Sequence, residues 1–373
     1  MAGPLDGITV IDLSTVIAGP YASQMLGDFG ARIIKVEPPA GDIMRAPGPA
    51  RSARMGAGFL NCNRNKTGLI LDLKDPAQRG EVLRLLDSAD VLLHNMRPAA
   101  IARLGLDHER TRARNPRLIH CGIVGYGQAG PYRDRPAYDD VIQAECGWAE
   151  LYARTGGSPR YAPTIAADKI TGLHAVAAIN AALVARGASG LGQAVEIPMF
   201  EVMVSFLAIE HLAGRTFRPA LGGSGYSRVL AEHRRPHVTS DGHICVMPYT
   251  AVHWQAFFTA VGREDWAADP ALGSDAARAA MIGTLYERLA GCLAAESTGH
   301  WLELLQRLDI PCAPVNSIDD LLEDEHLKAV GFFQETCHPT EGDIVSVRPP
   351  VGFSLTPCKI TIPAPVLGDG TAG

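Results

Sequence analysis

The most constraining feature of this sequence is an uncharged run from Ile170 to Val184, in which only Thr171, His174 and Asn180 are polar. Gly172 and the alanines at 175, 177, 178, 181 and 182 fill much of the rest. A helix that is apolar on nearly every side is a buried helix, and one rich in small residues lets other backbones come close. One acid, Asp168, stands at its mouth. The spacing predicts a break across Gly187–Gly192 and a strand over Gln193–Ile197, from its alternation. The chain must therefore build a core large enough to surround this helix and must place a carboxyl group at its start.

The length permits that core. With 373 residues, 47% hydrophobic and 20% charged, two domains are expected and disorder is not. The net charge is −6 and no Lys/Arg block occurs, so no nucleic-acid surface is expected. The opening MAGPLDGITVIDLS has no basic stretch followed by an apolar one, so no secretory leader is expected. The run Ile170–Val184 is shorter than the roughly 20 residues of a membrane span, so no membrane contact is expected either. The eight cysteines are scattered without a C-x-x-C pair. We read them as reduced thiols of a cytoplasmic protein.

The first 125 residues alternate strand and helix signals. Strands are predicted over Ile8–Leu13, Ala31–Val36, Leu69–Leu73, Asp90–Asn95 and Leu118–Val124, with helices over Tyr21–Leu26 and from Asp75-Pro76 onward. Such alternation implies βαβ units and a mainly parallel sheet. The Gly-, Pro- and Arg-rich stretch Glu37–Lys66 is too long for a plain connection. It follows a strand, where α/β sheets bind ligands, so it is a candidate binding loop. After a second apolar helix, Phe200–Leu212, comes the glycine-rich Gly222-Gly-Ser-Gly225-Tyr226. Helices near His253–Val261, Asp275–Ala295 and Thr298–Leu308 suggest a smaller domain, and strands Phe333–Cys337 and Ile344–Arg348 precede a Pro-rich tail.

Several motifs carry little. Gly125-Tyr-Gly127-Gln-Ala-Gly130 fits G-x-G-x-x-G, but no helix begins at its third glycine, so a plain glycine turn is the better reading. His233, His237 and His243 lack a fourth ligand and Pro236 interrupts them, so no metal site is expected. There is no G-x-S-x-G elbow and no phosphate-binding P-loop. Asp168 has two readings. Asp is a favoured N-cap, and a cap is all a helix start requires. The alternative is a carboxylate nucleophile that attacks an activated acyl group and divides a transfer into two steps. A helix N-terminus favours the negative charge this needs, and a Gly-rich segment over it would keep water from the anhydride.

The segments GITVIDLSTVIAGPYASQMLGDFGARIIKVEPPAGDIMR, NRNKTGLILDLKDP, ADVLLHNMRPAAIARLGL, GYGQAGPYRDRPAYDDVIQA, ADKITGLHAVAAINAALVARGASGLGQAVEIPMFE and DIPCAPVNSIDDLLEDEHL resemble, in order and spacing, the class III CoA-transferases. The likeness runs from about Gly7 to Gly368, and the family also holds the α-methylacyl-CoA racemases. It implies that Asp168 is the nucleophile and that the glycine loop, with Gly223 and Gly225, covers it. It implies coenzyme A contacts at Val16, Lys74, Asn95, Met96, Arg103 and Met199, with Arg97 and Arg45 as further cations suited to the nucleotide phosphates. CoA and acyl-CoA are then substrates, together with a carboxylic acid, and no tightly bound cofactor is implied.

Two departures narrow the reading. The racemases carry a His where this chain has Tyr138, a poor proton acceptor at an unperturbed pKa near 10. Tyr138 thus favours transfer over 2-methylacyl-CoA racemisation and still borders the site. The formyl-CoA transferases carry a Gln where this chain has Ile17, which points to a larger or more apolar acid than oxalate or formate. A non-catalytic CoA-binding dimer is the remaining alternative, and it gives Asp168 no task beyond a cap. The resemblance implies an α/β fold: a Rossmann-like sheet domain and a smaller α+β domain, joined by long linkers and interlocked in a homodimer. The expected bounds are 1–212 for the large domain, 213–236 for a glycine-rich linker, 237–330 for the small domain, and 331–373 for a segment packing back on the large one.

Overall fold

Six short strands order themselves as β3-β2-β1-β4-β5-β6, all parallel: β1 (Thr9–Asp12), β2 (Arg32–Glu37), β3 (Lys66–Ile70), β4 (Val91–His94), β5 (Ile119–Val124) and β6 (Ala194–Pro198). This is the doubly wound order, whose direction reverses between β1 and β4. The computed structural model describes residues 3–368, so the expectations for residues 1, 2 and 369–373 lie outside the described residues.

The chain forms two compact units. The first comprises the chain up to Trp148, Tyr161–Leu207 and the chain from Glu325 on. The second comprises Ala149–Arg160 and Ala208–Asp324. The helix Met199–His211 runs unbroken through the 207/208 boundary.

In the first unit the sheet is covered on both faces. One face packs on helices Ala18–Asp28 and Ala166–Ser189, through Val10, Ala22, Val91, Ile119, Ala175 and Ile179. The other packs on helix Pro76–Leu86 and the short helix Pro98–Arg103, through Ile11, Ile34, Val82, Leu92 and Ile101. Gly172 explains the small-residue run: a Cβ there would lie 2.8 Å from the Ala18 carbonyl oxygen, so the two helices touch backbone to backbone. The hairpin β10 (Phe333–His338) and β11 (Gly342–Val347) also belongs to this unit. Beyond it, Asn65 Oδ1 accepts from the Thr361 amide at 2.7 Å, and Arg45 donates to the Pro365 carbonyl at 3.1 Å.

The central helix differs from its expected extent. It runs 24 residues, Ala166–Ser189, and passes Gly187 unbroken. The stop comes at Gly190, at φ +75°, where glycine has no Cβ penalty. Arg186 holds that last turn through an ion pair with Asp90 at 2.8 Å. At this length the helix is long and apolar enough to cross a membrane, which corrects the shorter extent read from sequence. Its Ala167–Ala175–Ile179–Ala182 face lies in the core against the sheet.

The third strand also shifts, from the expected Leu69–Leu73 to Lys66–Ile70. Its first residue is a fully buried lysine, which no hydrophobic pattern selects. Lys66 donates to the Pro20 carbonyl and to Asn63 at 2.8 Å each, and pairs with Asp12 at 3.3 Å. Burial, against the pull of Asp12, brings its pKa down to about 8. Burial alone would raise Asp12; Lys66, Lys35 and the hydroxyls of Ser14 and Ser23 outweigh it and hold it below the usual range. Two more buried pairs follow: Lys35–Asp42 at 3.0 Å and Glu37–Arg45 at 2.6 Å. Together they lock the Glu37–Lys66 stretch, which holds a 3-10 turn (Ile43–Arg45) and a helix (Ala57–Cys62).

The second unit has its own core. An antiparallel sheet of β7 (His237–Val238), β8 (His243–Val246) and β9 (Cys312–Pro314) sits with helices Ala251–Ala260, Ile282–Leu293 and Thr298–Arg307. Trp254, Phe257, Phe258, Tyr286 and Trp301 fill it, and the Trp301 indole donates to the Leu293 carbonyl at 2.8 Å.

Glu37→Ala is expected to cost about 3–5 kcal/mol, because Arg45 stays buried without its bidentate partner. Hydrogen exchange of β2 and β3 amides would show it as faster opening. A change below about 1 kcal/mol would rule out a structural role for the pair.

Candidate active site

The turn after β1 and the turn after β4 meet where the strand order reverses. Asn95 clamps them: its Oδ1 accepts from the Thr15 amide at 3.0 Å and its Nδ2 donates to the Thr15 carbonyl at 2.8 Å. Val16 follows at φ +72°, a left-handed conformation rare for a β-branched residue. Such strain costs on the order of 1–3 kcal/mol and persists where surroundings impose it. Here Asp42 accepts the Val16 amide at 3.1 Å.

A cavity of about 290 Å³ opens at this place, and Asp168 lies in its wall. Val16, Asn95, Met96, Arg97, Tyr138 and Met199 line it as well. Of the sequence-assigned residues, these are the ones the structure brings together with the acid. Lys74 and Arg103 are exposed and do not line the cavity. Arg45 is corrected outright. Its guanidinium is buried, paired with Glu37 and stacked 3.6 Å from the Phe59 ring centre, so it cannot serve a ligand phosphate. Gly223 and Gly225 belong to the second unit. There the Gly225 amide donates to the His211 carbonyl at 2.8 Å, and Gly223 O accepts from Gly214 at 3.1 Å. Gly225 has φ +103°, and a Cβ on it would meet Arg154 and Leu230 at 2.8 Å. Ile17 is buried and is not among the residues lining the cavity.

Asp168 is not the N-cap. Ile165 holds that position without a side-chain cap, and Asp168 is the third residue of the helix, 9% exposed. The capping carboxylate comes from Asp139: its Oδ1 accepts the Asp168 amide at 3.0 Å. Gln143 in turn donates to Asp139 Oδ2 and accepts the Ala162 amide at 2.8 Å. Asp168 thus keeps its own side chain for other work. Burial, and then the Asp139 charge beside it, push its pKa up to about 6 from 3.8.

Sequence reasoning missed Asp139 as the partner, because 29 residues separate it from Asp168 and no spacing rule joins them. It also passed over Arg133, Arg135 and Gln128, which line the cavity with Arg97. Tyr138 is 71% exposed at the same rim. All three guanidiniums are exposed, with Arg133 paired to Asp134 at 3.4 Å and Arg135 to Glu145 at 3.7 Å, and such a cluster suits an anionic ligand that displaces these surface pairs. The glycine turn is occupied by protein: Gly127 and Gln128 amides donate to Glu201 and Glu196 at 2.9 and 3.0 Å. Those amides are not available to a nucleotide phosphate. Among the described residues no group of three or more His, Cys, Asp or Glu is placed to hold a metal.

The raised pKa has a sign. A folded carboxyl that binds its proton more tightly than the unfolded chain stabilises the fold at low pH. That contribution is lost as pH rises through the window from 3.8 to about 6. Asp168→Asn is therefore expected to be more stable than the parent above pH 6, by on the order of 1–3 kcal/mol, and equal to it near pH 3.5. Denaturant melts from pH 3.5 to 8 test this; parallel curves would refute it. Asp139→Asn is expected to lower the Asp168 pKa, read by carboxyl carbon NMR.

The chain is similar to known proteins along its length. The model of "CoA-transferase family III" matches residues 5–371. Succinate–glutarate CoA-transferase of Agrobacterium fabrum is 32% identical, over 99% of this chain and 94% of its own length. Formyl-CoA:oxalate CoA-transferase of Rhodopseudomonas palustris is 30% identical, over 100% of this chain and 92% of its own. The crystal structure of a CaiB/BaiF family protein from Brucella suis superposes with a TM-score of 0.85 at 30% identity, covering 99% of this chain and 97% of that one. With this likeness across residues 5–371, the chain belongs to CoA-transferase family III.

Proposed function

We propose that the protein moves coenzyme A from an acyl-CoA donor to a carboxylic acid acceptor, with Asp168 as the covalent carrier. One observation carries the reading: the Asp168 carboxyl lines the cavity with its amide already capped by Asp139. In the first step an Asp168 oxygen attacks the thioester carbonyl. The C–S bond breaks, CoA leaves as thiolate, and an aspartyl anhydride remains. The thiolate then attacks the Asp168 carbonyl carbon and releases the donor acid, leaving an aspartyl-CoA thioester. The acceptor carboxylate attacks that carbonyl, forming a new anhydride and freeing the thiolate. Attack of the thiolate on the acceptor carbon gives acceptor-CoA and restores Asp168.

Arg97, Arg133 and Arg135 supply positive charge for CoA phosphates and for substrate carboxylates. With relatives named for succinate and glutarate, we take short dicarboxylic acids as the donor and acceptor class. Tyr138 offers no second base for racemisation. Leu173 and Val184, each at least half exposed on the central helix, support burial against a second copy in a homodimer with long linkers. The free cysteines support a reducing, cytoplasmic setting.

Attack needs the carboxylate, so turnover is expected to rise with pH through about 6. Incubation with succinyl-CoA followed by hydroxylamine should label Asp168, located by mass spectrometry. Asp168→Asn should lower transfer by roughly 10⁴–10⁶-fold. An unlabelled Asp168, or transfer kept by the variant, would overturn the covalent role. A panel of formyl-, succinyl- and longer acyl-CoA donors against matching acids tests the substrate class separately.

A further inference from the structure

A second, larger cavity lies in the first unit, on strands β4, β5 and β6 beside the short helix Pro98–Arg103. It measures about 610 Å³, within the usual range of small-molecule sites. Its walls are mainly apolar, with Ile101, Ala102, Val124 and Val195 among them. Three histidines also line it. His94 on β4 and His120 on β5 meet edge to face at 5.0 Å, and His108 meets His120 at 5.8 Å.

These rings are not equivalent. His120 Nε2 is bonded to the Leu106 carbonyl at 2.9 Å. His94 is 3% exposed, yet neither of its ring nitrogens has a hydrogen-bond partner. The Met96 backbone beside this ring pulls its pKa up, by less than burial and His120 push it down. A buried polar atom without a partner costs free energy that a ligand can return. Gly122 packs closely on this ring: a Cβ there would stand 3.2 Å from both Cε1 and Nε2 of His94. The three rings do not form a metal cluster among the described residues.

We infer that this cavity is a second small-molecule subsite, which takes an uncharged aromatic molecule presenting a hydroxyl to His94. Burial, and then the neighbouring His120, hold the His94 ring near a pKa of about 3. It is therefore neutral in ordinary conditions, accepting from an O–H at one nitrogen and donating from the other. A carboxylate is disfavoured. Asp107, Glu109 and Glu196 line the cavity, and the lining cation Arg110 already pairs with Asp107 at 3.4 Å. The aromatic body continues the edge-to-face packing of the imidazoles. Pro98, Val124 and Gln128 line both this cavity and the Asp168 cavity, so the two share a wall.

The test uses the full chain with ¹³C-labelled histidine and 2-naphthol as probe. The His94 signal is assigned by its loss in His94→Phe. A saturable shift of that signal is expected with 2-naphthol and not with 2-naphthoate. Ala194→Trp, at an exposed position lining the cavity, should raise the Kd at least about tenfold. A crystal of the parent protein soaked in 6-bromo-2-naphthol should show an anomalous peak beside His94, independently of any variant. The inference is overturned by any of three results: no saturable shift in the parent, an equal response to naphthoate, or a bromine peak only in the Asp168 cavity. A cavity covered by a second copy in solution gives the first of these.

Discussion

Three buried ion pairs at one end of the sheet hold the remainder in place. Asp12–Lys66 joins β1 to β3, Lys35–Asp42 joins β2 to the loop after it, and Glu37–Arg45 closes that loop on itself. Such pairs contribute little net stability relative to apolar residues, since desolvation offsets their attraction. What they contribute is position. Lys35 also donates to the Ser14 carbonyl at 2.9 Å, and Asp42 also takes the Val16 amide. The turn that walls the Asp168 cavity is therefore gripped by buried charged groups on both sides of Thr15. Arg45 extends the grip to Pro365 near the end of the described chain.

The carboxyl in the cavity wall is treated in the opposite way. Asp12 is surrounded by cations and hydroxyls and stays ionised. Asp168 is buried with a second carboxylate beside it and holds its proton to about pH 6. The same side chain thus differs by environment alone. Asp139 links the two needs of the site, because it satisfies the helix start and also raises its neighbour. An Asp168 that had to cap its own helix would have its oxygens directed at backbone amides.

Much of the sheet unit was legible in the sequence. Strands β1, β2, β4, β5 and β6 are short apolar runs between turn residues, and each lies within two residues of where the pattern put it. The β3 strand was misplaced because Lys66 and Gly68 do not look like strand residues; their places are set by Asp12 and by the paired β2. The central helix overran its predicted end because a helical glycine with open space around it, Gly187, breaks nothing. At the site, Val16, Asn95, Met96, Tyr138 and Met199 came from family likeness and Arg97 from its charge, and they converge on one cavity, whereas Lys74 and Arg103 remain on the surface and Arg45 is consumed by Glu37.

The sequence by itself determined the alternating α/β plan, the burial of the small-residue helix and the presence of an acid at its mouth. These are local matters of period, composition and turn chemistry. Only the tertiary structure decided what that acid is. It placed Asp139, 29 residues away in the chain, on the Asp168 amide, and it left the Asp168 carboxyl free in a cavity with a raised pKa. Proton affinity depends on desolvation and on charges a few ångströms away, and chain distance carries no information about either. For the same reason the unpartnered imidazole of His94 was invisible until β4 and β5 lay side by side.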